Sequence, residues 1–330
     1  MNLITEPTLD TGRFAKTLDR PIAMEHVGCC LCGNQDGAPV GVGEDFEYRT
    51  SDQTFLAVRC PTCGLVYLDP RPTGSELDRI YPDSYHAFAF DEEQFGLVHK
   101  VRSRLEARRL LRAGRGLPAN ARILDVGCGD GFHLDLLRRY GPAGWRLQGV
   151  DIDLRAVEAA RRRGLDVECS TIEDASIEPG SIDLALCIQT VEHVADPVVL
   201  LQAIARVLRP GGRLYLITDN TGSPDFAIAK GRHWGGYHFP RHWNLFNKAS
   251  IRRLAARSSL GVERLGTTTS PVNWTYSVRN LLDDWGAPRW LVERFSLKAA
   301  ASLAFFTLID GALNIVGRGA LLRVILRRPQ

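Results

Sequence analysis

The chain predicts an α/β fold. A largely parallel sheet carries helices on both faces, a small cysteine-stapled module precedes it, and a helical insert interrupts it near the end. Three observations lead there. Between residues 122 and 218, short apolar runs alternate with helical segments, the pattern of parallel strands joined by helical crossovers. The run I-L-D-V-G-C-G-D-G at 123–131 takes a strand through glycines into a helix. Cys29 with Cys32, and Cys60 with Cys63, form two C-x-x-C pairs. With 330 residues and 45% apolar content, the chain is long enough for one large core and a small extra domain.

Taken in order, residues 1–25 read as a tail and residues 26–72 as the module. Each C-x-x-C is a tight turn presenting two thiolates, with Gly33 or Gly64 next, and together they suit a tetrahedral four-thiolate zinc site. The 27 residues between Cys32 and Cys60 exceed the usual spacing of about 15 to 20, which a hairpin accommodates. Strands are expected at 46–48 and 54–59, and Cys30 is set aside as a non-ligand. Two disulfides or four free thiols are the alternatives. Disulfides need an oxidising compartment, and a redox pair opens a helix in a thioredoxin-like unit, whereas these pairs lie outside the α/β region. A closed zinc site supplies folding energy to a segment too small for its own core. Loss of zinc is therefore expected to unfold residues 1–70 without touching the chemistry directly.

Residues 73–118 read as a helical linker or cap. Tyr81, Tyr85, Phe88 and Phe90 form an aromatic cluster there, either core between domains or a cover for a ligand pocket. The arginine-rich stretch 102–115 reads as a solvated helix face, with a phosphate- or membrane-binding surface as the alternative. From 119 to 330 the sheet domain follows. Strands are expected at 122–126, 147–151, 166–169, 182–188 and 213–218, and helices at 132–140, 154–163 and 198–208. Asp196 before Pro197 is an N-cap and first helical residue, and Pro210-Gly211-Gly212 ends that helix. A helix at 251–258 leads to a sixth strand, and 321–327 is a seventh, antiparallel one. The insert between them, about 269–318, holds Trp274, Trp285 and Trp290. Its apolar run 299–309 is too short to span a bilayer and is broken by Asp310. Core burial is the expected role, with shallow contact with a lipid surface as the alternative.

The glycine turn points to chemistry. Its pattern is G-x-G-x-G at Gly127, Gly129 and Gly131, not the G-x-G-x-x-G that meets a pyrophosphate. Asp125 stands just before it, and a carboxylate there repels a pyrophosphate and attracts a cation. Twenty residues after Gly131, Asp151 closes a second strand, placed to accept hydrogen bonds from ribose hydroxyls, with Ile152 beside it to pack on an adenine face.

Residues 119–220 resemble the core of class I S-adenosylmethionine (SAM)-dependent methyltransferases. The glycine turn, V-E-H-V-A-D-P at 191–197 and V-L-R-P-G-G-R-L at 207–214 match that family's motifs in its order. The resemblance implies a Rossmann-like seven-stranded sheet with the cofactor at the carboxyl ends of the first strands. SAM carries an ammonium and a sulfonium and no phosphate, as Asp125 requires. Gly127, Cys128 and Gly129 would let its methionine part approach the backbone, and Asp151 and Ile152 would hold the nucleoside. The family resemblance further implies that residues 171–174, Thr171 and Ile172 foremost, frame the adenine, and that Gln189 lines the methionine end. The cysteine module running into C-G-L-V-Y-L-D-P-R-P resembles bacterial methyltransferases with an N-terminal zinc ribbon, associated with sugar, cell-envelope or secondary-metabolite pathways. Quinone O-methyltransferases resemble the chain around E-H-V and carry E-x-x-E-H as a divalent metal site. Gln189 replaces the first glutamate here, which argues against a catalytic magnesium.

Methyl transfer from a sulfonium chiefly needs alignment, and a base is needed only where the acceptor must lose a proton. The candidates are His193, at the mouth of the fourth strand, and His238 and His242, in the histidine- and aromatic-rich loop after the fifth, where Gly235-Gly236 offers a hinge. Cys128, Cys169 and Cys187 read as small buried apolar residues. The expected acceptor is a small molecule, a glycan, glycolipid or other lipid-linked or secondary metabolite, with peripheral membrane contact as an accompanying expectation. The rival is an RNA methyltransferase whose zinc ribbon grips nucleic acid. A net charge of +3 and the absence of D/N-P-P-Y/F speak against it. A non-catalytic SAM-binding scaffold is third. No positive stretch leads into an apolar run at the start, so a cytoplasmic location is expected; the sequence does not fix an oligomeric state.

Overall fold

The computed structural model describes residues 20–82, Tyr85 and residues 92–330, with side chains from residue 103 in the last stretch. Residues 1–19, Phe88, Phe90 and the side chain of Arg102 lie outside the described residues.

The sheet domain has seven strands: β6 (Arg122–Val126), β7 (Arg146–Asp151), β8 (Val167–Cys169), β9 (Ile182–Ile188), β10 (Leu208–Asp219), β12 (Gly261–Thr268) and β13 (Leu321–Arg327). Their order is β12-β13-β10-β9-β6-β7-β8, and β13 runs antiparallel to both neighbours. This is the expected Rossmann-like sheet. The central strand β9, I-D-L-A-L-C-I, is buried along nearly its whole length, as a strand covered on both faces must be. One face is covered by α2 (Glu92–Ala113) and α3 (Phe132–Tyr140) through Ala107, Leu110, Leu136 and Leu137. The other is covered by α5 (Pro197–Val207) and α7 (Lys248–Arg257) through Leu201, Ile204, Ile251 and Leu254, and α4 (Leu154–Arg162) lies against β7 and β8. In α2 the arginines at 104, 108 and 112 face solvent, as does Arg115 just past it, while Ala107, Leu110 and Ala113 are buried, so the basic stretch is a solvated face.

Helix caps fall where the sequence places them. Asp196 accepts from Val198 N and Val199 N ahead of Pro197. Proline 210 and its glycines sit inside a strand rather than before one. β10 starts at Leu208, and its register against β9 slips between Leu208 and Arg213, a bulge that absorbs Pro210-Gly211-Gly212.

The cysteine module differs more. β2 (Ala38–Gly43), β3 (Phe55–Arg59) and β4 (Val66–Leu68) form an antiparallel sheet. The strand expected at 46–48 is instead a turn. Asp45 folds it by accepting from Tyr48 N, Thr50 N and Thr50 Oγ1 at 2.7–3.0 Å. The real strand, β2, reads A-P-V-G-V-G and gives no strand signal of its own. Residues 20–25 are not a free tail. β1 (Met24–Glu25) pairs with β5 (Arg71–Pro72), and Ile22 is buried with its N–H donating to Gln53 Oε1. A fourth strand, β11 (Asn244–Leu245), comes from the loop after β10 and pairs with β4. The module's sheet is thus completed by the sheet domain.

After β4 come a single helical turn, α1 (Leu77–Ile80), and α2; after β10 comes α6 (Pro224–Ala229). The insert is α8 (Val272–Asp284), α9 (Arg289–Val292) and α10 (Ala300–Ile315). Its apolar run is not core. Only Phe306 and Asp310 of α10 are buried.

Candidate active site

Parallel strands place their carboxyl ends on one edge, and every residue singled out for chemistry in the sheet domain stands there or in the loops that leave it. Asp125 is the next-to-last residue of β6. It is 1% exposed, and neither carboxylate oxygen has a hydrogen-bond partner; His133 Nδ1 lies 3.6 Å from Oδ2. Beyond it, Gly127 has φ of 72°, and a Cβ there would meet the Thr190 side chain at 2.4–3.0 Å, so only glycine fits. Gly129 N donates to Asp151 Oδ2 at 2.8 Å, and Asp153 N donates to Asp151 Oδ1 at 2.9 Å. Asp151 therefore ties the glycine turn to β7, and its remaining lone pairs are available for ribose hydroxyls. Ile152 stands 64% exposed on this edge. The Cys128 backbone joins the turn, while its thiol points inward toward Gly149.

On the adenine side, the Ile172 side chain is buried in the core cluster that includes residues of β6 and β9. Thr171 is exposed, but its hydroxyl donates to Asp174 Oδ2 at 3.0 Å and closes a turn. Cys169, expected to be buried, is exposed at the end of β8, where its thiol lies 3.8 Å from Ile152 O.

The three histidines come together. The His193 and His242 rings are 4.5 Å apart, His238 and His242 4.9 Å, His193 and His238 6.3 Å. Each is held by a different element. His193 Nδ1 shares a 2.8 Å hydrogen bond with Tyr81 OH from the linker. His238 Nδ1 lies 2.7 Å from Glu47 Oε2 of the cysteine module. His242 Nδ1 donates to Gly236 O at 2.9 Å and lies 3.3 Å from Asp219 Oδ2, the carboxylate that closes β10. Gln189 and His238 both have positive φ, 53° and 41°, a strained backbone that surrounding structure must hold and that clusters at functional sites.

Beneath the histidines lie two buried acids. Glu192 Oε2 accepts from Thr218 Oγ1 at 3.0 Å, and its Oε1 has no hydrogen-bond partner. Asp219 Oδ1 accepts from Asn273 Nδ2 of α8 at 2.6 Å. Burial, reinforced by Asp219, pushes the Glu192 carboxyl well up, and burial raises Asp219 to about 7. Burial also pushes His242 well down, with His193 and His238 adding to the effect, so this imidazole is neutral. Glu192, His193 and His242 bring one donor atom each within 4.8 Å of one another. Glu192 is the one carboxylate of that group, with Gln189 where the resemblance has a second.

Sequence reasoning missed Glu47, Asp219 and Asn273. Asp219 had a signal, because it ends a strand as Asp125 and Asp151 do. Glu47 and Asn273 had none, since both reach the site from distant segments. Gly235-Gly236, expected as a hinge, is instead a packing point. A Cβ on Gly235 would lie 2.6 Å from Asn273 O and Tyr276 Cβ of α8.

In the module, the four sulfurs of Cys29, Cys32, Cys60 and Cys63 lie within 4.8 Å of one another, with Cys29–Cys63 and Cys32–Cys60 at 3.4 Å. Gly33 N and Gly64 N donate back to Cys29 O and Cys60 O and close both turns. Edges of about this length suit thiolates arranged around an ion with bonds near 2.3 Å. Cys30 turns away, donating to Asn244 Oδ1 at 3.3 Å.

Comparison with known proteins agrees with this geometry. The family described as "Methyltransferase domain" matches residues 97–264. The ubiquinone biosynthesis O-methyltransferase of Xanthomonas oryzae pv. oryzae is 38% identical over 118 residues, 34% of this chain and 48% of that protein. That of Xanthomonas campestris pv. campestris is 36% identical over 124 residues, 36% of this chain and 51% of that protein. The chain spans about half the length of the curated relatives it matches. Phosphoethanolamine N-methyltransferase 2 of Haemonchus contortus, solved with S-adenosyl-L-methionine, has a TM-score of 0.51 at 19% identity, covering 89% of this chain and 68% of that one; this is a likeness of fold. The family match takes in half the chain, from α2 through the glycine turn and the histidine loop to β12, and the chain belongs to the methyltransferase-domain family.

Proposed function

We propose that the protein transfers a methyl group from SAM to a hydroxyl-bearing small molecule of the sugar, glycolipid or cell-envelope and secondary-metabolite class. The observation that carries the reading is Asp125. A buried carboxylate without hydrogen-bond donors is costly, and at a strand end beside a glycine turn it fits an ammonium or sulfonium and not a phosphate. When bound, SAM supplies a methyl already activated by its sulfonium. Asp125 and the backbone at Gly127–Gly129 would orient the methionine end, with Gln189 nearby. Asp151 would bind the ribose and Ile152 would cover the adenine. Cys128 would contribute its backbone, and the turn at Thr171 and Ile172 would frame the adenine.

The histidine cluster supports an oxygen acceptor, in keeping with the O-methyltransferase names of the relatives. His193, oriented by Tyr81, would take the acceptor proton. His238, held by Glu47, would position the acceptor. His242 would serve as a neutral wall, because its Nδ1–H is committed to Gly236. The four-cysteine cluster supports a structural zinc ion with no open position. Domain boundaries follow as a proposal: module 20–72, linker 73–118 and methyltransferase domain 119–330 with its insert. A cytoplasmic location is proposed with it. No helix among the described residues is long and apolar enough to cross a membrane.

Calorimetry with SAM, its demethylated product and NADH tests the cofactor. Heat with NADH alone would overturn the reading. Tritiated methyl counts in a sugar-lipid extract against whole-cell RNA test the acceptor, and label in RNA alone would replace it with nucleic acid. His193→Ala is expected to leave SAM binding intact and lower turnover about a hundred- to ten-thousandfold, the usual contribution of a general base.

A further inference from the structure

The insert carries a face that the fold leaves uncovered. In α10 the inner side holds Phe306, stacked on Trp274 of α8 at 6.0 Å, and Asp310, which accepts from Ser270 N, Ala320 N and Trp274 Nε1. The outer side holds Ala304, Phe305, Leu308, Ala312, Ile315 and Val316, all exposed, with Leu308 at 76% and Ile315 at 87%. At about 100° per residue these six share an arc of roughly 120°. That arc contains no polar atom beyond the backbone, and the helix has no charged residue other than the buried Asp310. An outward helix face on a water-soluble domain normally carries charge. An uncharged one marks a docking surface.

Its surroundings say what covers it. Trp285 and Trp290, 72% and 62% exposed, precede the helix in the same insert. Arg289, Arg294, Lys298 and Arg318 bracket it, while the acids of the same stretch are paired: Glu293 with Arg289 at 3.0 Å, Asp283 with Arg49 at 2.6 Å, and Asp284 with Arg232 at 3.0 Å and His233 at 2.8 Å. The Arg294 guanidinium lies over the Trp290 ring, 5.6 Å from its centroid. Exposed tryptophans with arginine and lysine around an apolar helix face match a lipid interface, where the rings sit at headgroup depth and the cations meet anionic lipid. A subunit interface would instead be depleted of lysine and of charge at its core.

We propose that the outer face of α10, with Trp285, Trp290 and the flanking cations, docks on an anionic bilayer surface. This goes beyond the methyl-transfer reading and stands apart from it, because vesicle binding needs neither cofactor nor acceptor. The consequence for the site is direct. α10 packs on α8, and α8 supplies Asn273 to Asp219, so docking would bring the candidate active site next to the membrane.

Co-sedimentation of the full chain tests this, with phosphatidylcholine vesicles and with mixed phosphatidylglycerol–phosphatidylcholine vesicles. The wild type is expected to pellet with the mixed vesicles. Leu308→Glu/Ile315→Glu is expected to lower that partitioning roughly a hundredfold. Arg294→Gln/Lys298→Gln should lower it about tenfold on mixed vesicles and leave pure phosphatidylcholine unchanged. All four side chains lie on the surface, and unchanged melting curves check that the variants fold; the second pair carries the test should the first fail to fold. The proposal is overturned if the wild type stays in the supernatant with both vesicles, or if neither variant changes its partitioning. It is also overturned if sedimentation velocity finds a dimer that Leu308→Glu/Ile315→Glu dissolves, which would make the face an interface between copies of this chain.

Discussion

Asp125 sets a conflict between stability and binding that one substitution can separate. Its carboxylate is buried without a hydrogen-bond donor, so Asp125→Asn should stabilise the ligand-free protein by about 1 kcal/mol or more and raise its melting temperature. The same change would remove the charge proposed to face the methionine ammonium and should weaken SAM about ten- to hundredfold. Calorimetry and thermal melts on the same preparation check both. A variant that loses stability, or keeps full affinity, would remove Asp125 from the cofactor site. Asp219 gives a pH signature. An unfolded aspartate ionises near 4, whereas burial lifts the folded carboxyl to about 7. Below pH about 4 both states hold the proton and its stabilisation is complete; as pH rises towards 7 the unfolded chain ionises first and that stabilisation is lost, on the order of 4 kcal/mol at most. Asp219→Asn should therefore raise the melting temperature more at pH 8 than at pH 5, and an equal effect at both would show that the carboxyl is not raised. Both acids stand at or next to a strand end and were open to the same sequence rule, yet only Asp125 drew notice, because of the glycine turn beside it. Thr171 and Ile172 mark the limit of that rule: the family resemblance alone put them at the adenine, and a single turn decides which side chain faces out, Thr171 exposed and Ile172 buried.

Elements with a local cause were legible, and those with a distant one were not. The alternation of apolar runs and helices placed the strands of the sheet to within a residue or two, save the start of β10, which lies five residues earlier at Leu208, because parallel strands buried on both faces must be continuously apolar. The 46–48 segment is aromatic and reads as a strand, but Asp45 turns it. β2, with a proline and two glycines, becomes a strand because β3 pairs with it. α10 is apolar enough to read as core, and only the packing of α8 reveals that one side stays outside. The short turn Gly235–Tyr237 meets α8 along a contact that a side chain at Gly235 would block. Gly235→Ala should cost about 1–3 kcal/mol and shift α8, and with it Asn273 on Asp219. Turnover should then fall with little change in SAM affinity. A variant with wild-type melting and wild-type turnover would mean that the two elements do not position the site.

At the scale of the whole molecule, the cysteine module is a wall of the active site rather than an appendage. β4 takes β11 from the loop after β10 as its partner. Inside the same joint, Arg241 is fully buried against Asp45, with Nη1 to Oδ1 at 3.1 Å and Nη2 to Oδ2 at 2.8 Å; it also donates to Ile80 O and Phe239 O. Burial opposes ionisation of Asp45, but the guanidinium outweighs it and holds the carboxyl below its usual range. Breaking one partner of such a pair costs about 3–5 kcal/mol, because a charge is left alone in the interior. Three residues from Arg241, His238 rests against Glu47 of the module. A C-x-x-C pair invites a modular reading, in which the metal matters only to its own segment. Strand pairing between residues 66 and 245 has no local signature that would correct it. The expectation that zinc loss leaves the chemistry untouched therefore changes. Chelation, or Cys60→Ser, should melt the module, release Asp45 and Glu47 from the histidine loop, and lower turnover about a hundredfold, the effect of misplacing catalytic groups by about an ångström. Affinity for SAM should persist, because Asp125, Gly129 and Asp151 rest on β6 and β7, at the far side of the sheet from that joint. Titration with a chelator, following melting, turnover and SAM binding together, separates the cases. Turnover that survives intact after the module has melted would return the module to an independent appendage, and SAM binding lost in step with it would place the cofactor at the joint instead.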